Sequence, residues 1–210
     1  MPSQSPTRRD PQKGKKGFSK NKGFTVIELM IVVATVAIIL SLALPSYRTI
    51  IEKRAVSSGA EQVMAFLSSA QVEAVKRNRF VAVNYQWNDG NWCLGMTEGR
   101  NDAVDCDCSV ADSCLLDEGD ANEQERVLWS SVLNRPEVLS AATLGTGDAN
   151  TLVFDPVRGL VVDTESAQVQ LSSPDGETYA LHVNMTATGR VDICNDNDRA
   201  GKVVPGYEDC

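Results

Sequence analysis

The feature that most constrains this chain is an apolar run from Phe24 to Leu44. All but four of its residues are apolar, the exceptions being Thr25, Glu28, Thr35 and Ser41. At about 1.5 Å per residue, a helix of this length reaches about 30 Å, which is the thickness of the hydrocarbon core of a bilayer. A removable secretory signal has a shorter apolar core, of about 7–15 residues. We therefore expect a retained membrane-spanning helix that carries one unexplained carboxylate, Glu28.

Charge is distributed unevenly around this run. The net charge is −8, and of 20 basic and 28 acidic residues, seven basic and one acidic lie within residues 1–23. A basic segment before an apolar helix marks the cytoplasmic side of a membrane. The strongly acidic remainder is a poor match to nucleic acid or to anionic lipid. We expect the part after the run to face the opposite side of the membrane, and its charge disfavours nucleic acid as a partner.

The helix is predicted to continue beyond the apolar run to near residue 77. Pro45 removes a backbone donor and leaves the carbonyl of Ser41 without its helical partner, which predicts a kink. After it, apolar residues recur every three or four positions, as expected for a helix with one apolar face packed on its own domain. The predicted face consists of Tyr47, Ile51, Ala55, Val63, Phe66, Leu67, Ala70, Ala74 and Val75.

After residue 78 the apolar pattern alternates, which is typical of half-buried strands. The cysteine-bearing insertion spans residues 93–125, and from Gly99 to Glu125 it is acidic and short of apolar residues, so we predict a surface loop there. Pro-Asp-Gly, at 174–176, predicts a hairpin turn. These patterns predict an α+β fold, with the long N-terminal helix packed on a mostly antiparallel sheet. The strand candidates are residues 79–87, 90–97, 126–133, 151–155, 159–162, 167–173, 177–185 and 189–194.

The cysteines and the missing motifs limit the chemistry of the chain. An even number of cysteines beyond a membrane anchor favours disulfides in an oxidising compartment. A zinc site is less favoured, because there is no Cys-x-x-Cys pair and the single histidine, His182, is isolated. No phosphate loop, nucleophile elbow or His-Glu-x-x-His motif is present. We predict no enzyme activity, no metal and no cofactor. The six cysteines are Cys93, Cys106, Cys108, Cys114, Cys194 and Cys210.

Residues 22–47, KGFTVIELMIVVATVAIILSLALPSY, resemble the N-terminus of type IV pilins and type II secretion pseudopilins. The resemblance implies that a prepilin peptidase cleaves after Gly23 and that the new N-terminal residue, Phe24, is N-methylated. It implies an assembly role for Glu28, the fifth residue of the mature chain. It also implies four segments: a removed leader at 1–23, a transmembrane and filament-core helix at 24–46, an amphipathic helix at 47–78 and a β-rich periplasmic head at 79–210.

Four further segments resemble the GspH/FimT family of minor pilins and pseudopilins: SSAQVEAVKRN, NWCLGM, FDPVRG and TGRVDIC. The resemblance covers most of residues 24–194 and excludes the 93–125 insertion and the tail. It implies a minor pilin that helps to prime or cap a type IV pilus. Two alternatives stay open, a secretion pseudopilin and a competence DNA-binding minor pilin. The implied partners are major and minor pilins or pseudopilins, the prepilin peptidase, the assembly platform and the bacterial inner membrane, before transfer to the surface filament.

Three smaller features leave open alternatives. The DNA-binding members carry a Gly-Arg-x-Arg pattern, whereas here Arg190 is followed by Asp192, so DNA contact is disfavoured. Asp196, Asp198 and Glu208 offer an irregular calcium site or a solvated turn, because the EF-hand pattern fails.

The third feature is the pairing of the six cysteines in disulfides. The resemblance implies a Cys194–Cys210 bond that closes the C-terminal loop 194–210. For the other four cysteines, Cys93–Cys106 and Cys108–Cys114 is one arrangement among several, and the sequence does not choose among them.

Overall fold

The computed structural model describes residues 23–88, 91–99, 106–117, 124–129, 139–144, 150–162, 166–173, 178–196 and 202–210. The chain divides into two compact units, Met1–Leu44 and Pro45–Cys210. Within the described ranges it forms one helix and ten strands. The predicted α+β class is therefore confirmed. The leader 1–22 and the Pro-Asp-Gly turn lie outside the described residues.

Helix α1 runs from Val26 to Arg77, close to the predicted bounds. Its end is set by Asn78, whose φ of 54° is left-handed. The amide of Asn78 donates to the carbonyl of Val75 at 3.3 Å and that of Arg79 to the carbonyl of Ala74 at 3.2 Å. These two bonds form a Schellman cap, in which asparagine is a common substitute for glycine. The helix assignment continues through Pro45, and the kink there stays a prediction.

The buried stripe of α1 differs in part from the predicted face. Its residues recur at alternating steps of four and three, which is the spacing of an apolar seam. Tyr47 and Val75 were predicted on this face, but they are 63% and 48% exposed. For Tyr47 the error arises because the apolar pattern before Gly59 is one residue out of phase with the pattern after it, whereas Val75 lies beside the stripe residue Ala74 and points away from the core. The stripe consists of Val56, Ala60, Val63, Leu67, Ala70 and Ala74.

Within its described residues, the head forms two five-stranded sheets, where the sequence predicted one. The first has the strand order β3-β2-β1-β5-β6 and the second β10-β9-β8-β7-β4. Every pairing is antiparallel except that of β10 with β9. The strands are β1 Val81–Asn88, β2 Asn91–Glu98, β3 Val127–Trp129, β4 Leu139–Thr143, β5 Thr151–Phe154, β6 Val161–Val162, β7 Ser166–Ser172, β8 Ala180–Thr186, β9 Val191–Asn195 and β10 Glu208–Asp209.

Two of these strands were not predicted. Strand β10 has only two residues, both acidic and exposed, so it carries no alternating pattern. Strand β4 reads Leu-Ser-Ala-Ala-Thr, whose small residues give a weak strand signal. Both form edges of the second sheet. Strand β2 ends at Glu98, directly before Gly99, where the acidic loop was predicted to begin.

One hydrophobic core joins the α1 stripe to both sheets. Trp92, Leu94 and Met96 of β2 enter this core on alternate positions. The intervening residues, Cys93 and Gly95, lie on the other face of the strand, where a second cluster of cysteines covers them. Strand β2 is therefore buried on both faces, which explains why its six central residues are all buried.

Candidate functional site

The first turn of α1 gives Glu28 a local role that the sequence reasoning missed. The backbone amide of Glu28 donates to Oγ1 of Thr25 at 3.3 Å. Thr25 directly precedes Val26, the first residue of the helix. Threonine at the N-cap with glutamate three residues later is the capping-box pattern. The Thr-x-x-Glu spacing is visible in the sequence and would have identified it. A carboxylate in the first helical turn is also favoured by the helix dipole.

The first half of α1 exposes apolar side chains on every side. Val26, Ile27 and Met30 are 76%, 67% and 67% exposed, and Ile38 and Ile39 are 62% and 66% exposed further along. A helix that is apolar all round is normally covered by protein or by lipid. None of the helical segments within the described ranges has both the length and the apolarity required of a membrane span.

The C-terminal loop is closed by a Cys194–Cys210 disulfide, the bond implied by the resemblance. Inside the loop, the buried side chain of Asn195 makes three hydrogen bonds to backbone. Its Nδ2 donates to the carbonyls of Val204 at 3.2 Å and Tyr207 at 2.7 Å, and its Oδ1 accepts from the amide of Val204 at 2.8 Å. A buried amide that satisfies backbone groups in this way fixes the segment around Val204 and Tyr207 against β9. Sequence reasoning did not single out Asn195.

Tyr207 ties the same loop to the helix. Its hydroxyl donates to Oε1 of Glu61 at 3.0 Å, across 146 residues of sequence. Burial raises the pKa of the Tyr207 hydroxyl above its ordinary value, a hydrogen bond with Ser57 opposes this rise, and the bond to Glu61 adds to it. The hydroxyl therefore remains protonated at neutral pH and serves as a donor.

A groove of about 340 Å³ runs between β9 and the C-terminal loop. Arg190, the sequence candidate for DNA contact, is exposed and lines this groove. Three carboxylate residues line it too, namely Asp192, Glu208 and Asp209. Phosphate binding requires clustered positive charge, and a single guanidinium among three acids does not provide it.

Two of the residues considered for a calcium site, Asp196 and Glu208, have different surroundings. Oδ2 of Asp196 accepts a hydrogen bond from Nε2 of Gln170 at 3.0 Å and lies 3.6 Å from Nε2 of His182. This carboxylate therefore faces the second sheet, whereas Glu208 lines the groove beside the loop. Asp198 lies outside the described residues.

The other four cysteines form two adjacent disulfides, Cys93–Cys108 and Cys106–Cys114. The pairing considered from the sequence, Cys93–Cys106 with Cys108–Cys114, is wrong. A turn explains the observed pairing, because Oδ1 of Asp107 accepts hydrogen bonds from the amide and the hydroxyl of Ser109 at 2.9 and 2.6 Å. The same two bonds lower the pKa of Asp107. This turn directs neighbouring cysteines to different partners, which sequence spacing does not reveal.

Gly95 allows these two disulfides to lie against β2. A Cβ at this position would lie 2.1 Å from Sγ of Cys106 and 2.5 Å from Sγ of Cys114. Real Cβ atoms are essentially never found so close to another heavy atom, so only glycine fits here. Gly95, the glycine of the NWCLGM segment, thus has a packing reason specific to this chain.

Two glycine turns meet the side chain of Gln71 on α1. Nε2 of Gln71 donates to the carbonyl of Gly159 at 2.8 Å. At Gly189, whose φ is +79°, an added Cβ would lie only 2.3 Å from Nε2 of Gln71. The FDPVRG and TGRVDIC segments therefore converge on one helical residue, and Arg190 follows directly from this junction.

Comparison with known proteins places these features in a family. The profile of the family described as "Type II transport protein GspH" matches residues 59–189, more than half of the chain. Two curated fimbrial proteins of Pseudomonas aeruginosa are 32% identical over 77 residues, or 37% of this chain and 49% of theirs, so the chain spans about half the length of these relatives.

Two crystal structures of the type IV minor pilin FimU of Pseudomonas aeruginosa are also similar, each with a TM-score of 0.41. Identity is 17% and 18%, over 65% and 68% of this chain and 90% of each FimU chain. On the extent of the family match, which runs from the C-terminal part of α1 through β8 and includes the Gln71 junction, this chain belongs to the GspH family.

Proposed function

We propose that this chain is a FimU-like minor pilin, a non-catalytic subunit that helps to prime or cap a type IV pilus. The observation that carries the proposal is the start of α1, where exposed apolar side chains surround one carboxylate, Glu28. Membership of the GspH family supports a structural role in a pilus or pseudopilus. The head has three disulfides, which supports exposure to an oxidising compartment.

The proposed life cycle begins with insertion in the inner membrane, with the N-terminus cytoplasmic and the head periplasmic. Cleavage after Gly23 by prepilin peptidase then creates a positive amine on Phe24, which is N-methylated. The assembly platform next transfers the subunit to a filament of sibling pilins. There the exposed apolar side chains of α1 pack on neighbouring helices, in place of lipid.

In this proposal, Glu28 sets the axial position of each subunit relative to its neighbour in the filament. A carboxylate in the bilayer interior costs about 2.5–3.5 kcal/mol on insertion scales unless it finds a partner. The Phe24 amine of an incoming subunit is a partner of opposite charge. Pairing it with Glu28 of a neighbour would fix the axial position of the subunit and balance the charge.

The first turn of α1 offers a competing, purely local explanation of the carboxylate, because the helix dipole favours an acidic side chain there. Three variants separate the two. Glu28→Gln keeps the amide donor and the side-chain shape but removes the charge. Thr25→Ala removes the cap acceptor but keeps the charge, and a lost N-cap costs about 1 kcal/mol. Glu28→Ala removes the whole polar group.

The test is to count surface pili by electron microscopy in a strain that lacks this chain, after complementation with each variant. We expect few pili in the deletion strain and restoration by the intact chain and Thr25→Ala. We expect no restoration by Glu28→Gln or Glu28→Ala. Mass spectrometry must show equal cleavage after Gly23 in all variants. Normal pili in the deletion strain, or full restoration by Glu28→Gln, would overturn the proposal.

A secretion pseudopilin is the second candidate, and the description of the family as a type II transport protein favours it. The same deletion strain distinguishes the two. Loss of type II secretion substrates from the culture medium with normal pili would identify a pseudopilin. Loss of pili with normal secretion would identify a minor pilin.

DNA binding is not supported by the charge of the groove around Arg190. A gel shift with the full chain in detergent at low salt tests it directly. We expect no shift. A salt-sensitive shift that Arg190→Ala abolishes would instead support a competence receptor.

A further inference from the structure

Three exposed valines form an apolar patch at the C-terminal end of α1, apart from the exposed apolar residues of its first half. Val72 and Val75 of α1 are 61% and 48% exposed, and Val157 is 73% exposed. Val157 lies in the turn between β5 and β6. This turn abuts the helix, because a Cβ at Gly159 would lie 3.3 Å from Cγ2 of Val75. Apolar residues exposed singly need no explanation, whereas a group of them marks a contact site.

Exposed cations border this valine patch. Lys76 lies in the last turn of α1, and its side chain is 65% exposed. Arg158, next to Val157, is exposed too, and the described residues provide no ion-pair partner for it. The nearby carboxylates are engaged within the chain. Glu73 is only 14% exposed beside Lys76, and Oδ2 of Asp155 accepts a hydrogen bond from the amide of Arg158 at 3.1 Å. The border therefore offers positive charge on a chain whose net charge is −8.

An exposed tip of the opposite charge lies on the cysteine-bearing excursion, residues 106–117. Val110 at this tip is 54% exposed, and Asp112, two residues later, is also exposed. Asp112 has a φ of 62°, a left-handed conformation typical of a tight turn. Two disulfides and the hydrogen bonds from Ser109 to Asp107 hold the excursion. The tip is therefore preorganised, which lowers the entropic cost of docking it on a partner.

The patch and the tip lie towards opposite ends of β1. The turn that carries Val157 follows Phe154, which pairs with Val81 at the start of β1. The tip follows Cys108, whose amide donates to Oε1 of Gln86 towards the other end of the strand, at 3.1 Å. At about 3.3 Å per residue, these two positions of β1 are about 17 Å apart. The excursion also covers the face of β2 that is turned away from the core with α1. The tip therefore lies away from the patch of its own chain.

We propose that the tip of one copy of this chain docks on the valine patch of a second copy. Val110 then contacts the three valines. The carboxylate of Asp112 lies beside Lys76 and Arg158, and this pairing of opposite charges weakens with added salt. Because the two surfaces differ and lie at opposite ends of β1, the contact is heterologous and repeats along a row of subunits.

The contact is small, and this sets where it forms. Interfaces of small area are weak between dilute molecules. The same contact strengthens where other interactions already hold copies side by side, because the effective concentration is then high. Two copies of the head suffice for this contact, whether or not the chain serves in a pilus.

The test traps the contact between copies of the full chain in detergent micelles, half of them labelled with heavy nitrogen. A zero-length carbodiimide joins the amine of Lys76 to a carboxylate that it touches, and peptide mass spectrometry shows whether the linked peptides come from different copies. We expect a Lys76–Asp112 link that carries both isotopes and decreases with added salt. The link from Lys76 to Glu73 within one chain, where the two groups are 3.1 Å apart, shows that the amine has reacted. Absence of the mixed-isotope link beside this internal product would overturn the proposal.

Two exposed valines test the patch itself. Val157→Asp should abolish the mixed-isotope link, because it places a carboxylate in the apolar patch. Val203→Asp is the matched control, since Val203 is 50% exposed and lies in the C-terminal loop, outside both surfaces. Equal yields of the link in the two variants would contradict the assignment of the patch.

A mixing experiment tests that the contact is heterologous. Asp112→Asn removes the carboxylate of the tip and keeps the left-handed turn, which asparagine tolerates. Neither Asp112→Asn nor Val157→Asp should form the link alone. A mixture of the two should form it in one direction only, from Asp112 of the Val157→Asp chain to Lys76 of the Asp112→Asn chain. No link in the mixture would show that the tip and the patch do not meet.

Discussion

Gly95 is the residue on which the packing of two disulfides against β2 depends. A methyl group there would lie 2.1 and 2.5 Å from two sulfur atoms that are themselves fixed by a covalent bond. Overpacking of a well-packed interior costs about 1–3 kcal/mol. We expect Gly95→Ala to lower the free energy of unfolding by at least this amount, measured by urea denaturation in detergent.

A double-mutant comparison isolates the cause. In a background with Cys106→Ala and Cys114→Ala, the nearest of the remaining sulfurs would be Sγ of Cys108 at 3.3 Å. The Gly95→Ala penalty should shrink to a fraction of its value there. An equal penalty in both backgrounds would show that backbone conformation, and not the sulfurs, requires glycine.

At the scale of elements, α1 is joined to both glycine turns through Gln71. We expect Gln71→Ala to cost about 1–3 kcal/mol, since it removes the donor to a part-buried carbonyl of Gly159. Gln62→Ala on the same helix is the matched control, because its side-chain amide donates to Oγ of Ser58 at 3.2 Å in an exposed position. Urea denaturation of both variants checks the difference. Equal costs would mean that the junction is no more important than an ordinary surface contact.

The ion pairs in the last turn of α1 predict that the stability of the fold depends on pH. The pKa of Glu73 is lowered from 4.5, first by the hydrogen bond from Nε of Arg77 at 2.8 Å and further by Lys76. Because its folded-state pKa lies below its unfolded value, Glu73 contributes stability above pH 4.5 that is lost as the pH falls through the folded pKa.

Glu73→Gln should therefore cost about 0.5 kcal/mol at pH 7 and almost nothing at strongly acidic pH. Denaturation midpoints across this pH range provide the measurement. Glu52→Gln is the control. Glu52 is a carboxylate on the same helix, and among the described residues it has no ion-pair partner. A Glu73→Gln cost that does not change with pH would show that packing, and not charge, is lost.

At the scale of the whole molecule, the three disulfides differ in their access to solvent. The C-terminal bond has one exposed member, Cys210, whereas the four cluster cysteines are no more than 4% exposed. Thiol–disulfide exchange requires access of the attacking thiolate to sulfur. Under graded reduction we expect Cys194–Cys210 to open first.

Differential alkylation followed by peptide mass spectrometry gives the order of opening. The cluster disulfides should open only at reductant concentrations or temperatures that also loosen the head. Earlier opening of Cys93–Cys108 or Cys106–Cys114 would show that the excursion 106–117 opens locally in the native state.

Much of the fold could be predicted from the sequence, because local patterns determine it. The ends of α1 follow from chain chemistry, with Thr25 and Glu28 at the start and Asn78 at the end. Eight of the strands coincide with segments predicted from the sequence, most of which alternate apolar and polar residues as half-buried strands do. The apolar run with its single carboxylate likewise directed attention to filament assembly.

Tertiary structure alone decided which residues meet. The sequence could not show that Cys106 pairs with Cys114, because a turn at Asp107 and the missing side chain at Gly95 determine where the sulfurs point. Nor could it show that Asn195 organises the C-terminal loop or that Gln71 joins two turns, because those bonds span loops whose course depends on both sheets. Periodicity is a property of neighbouring residues and is readable from the chain, whereas contacts between distant segments exist only once the core has placed them.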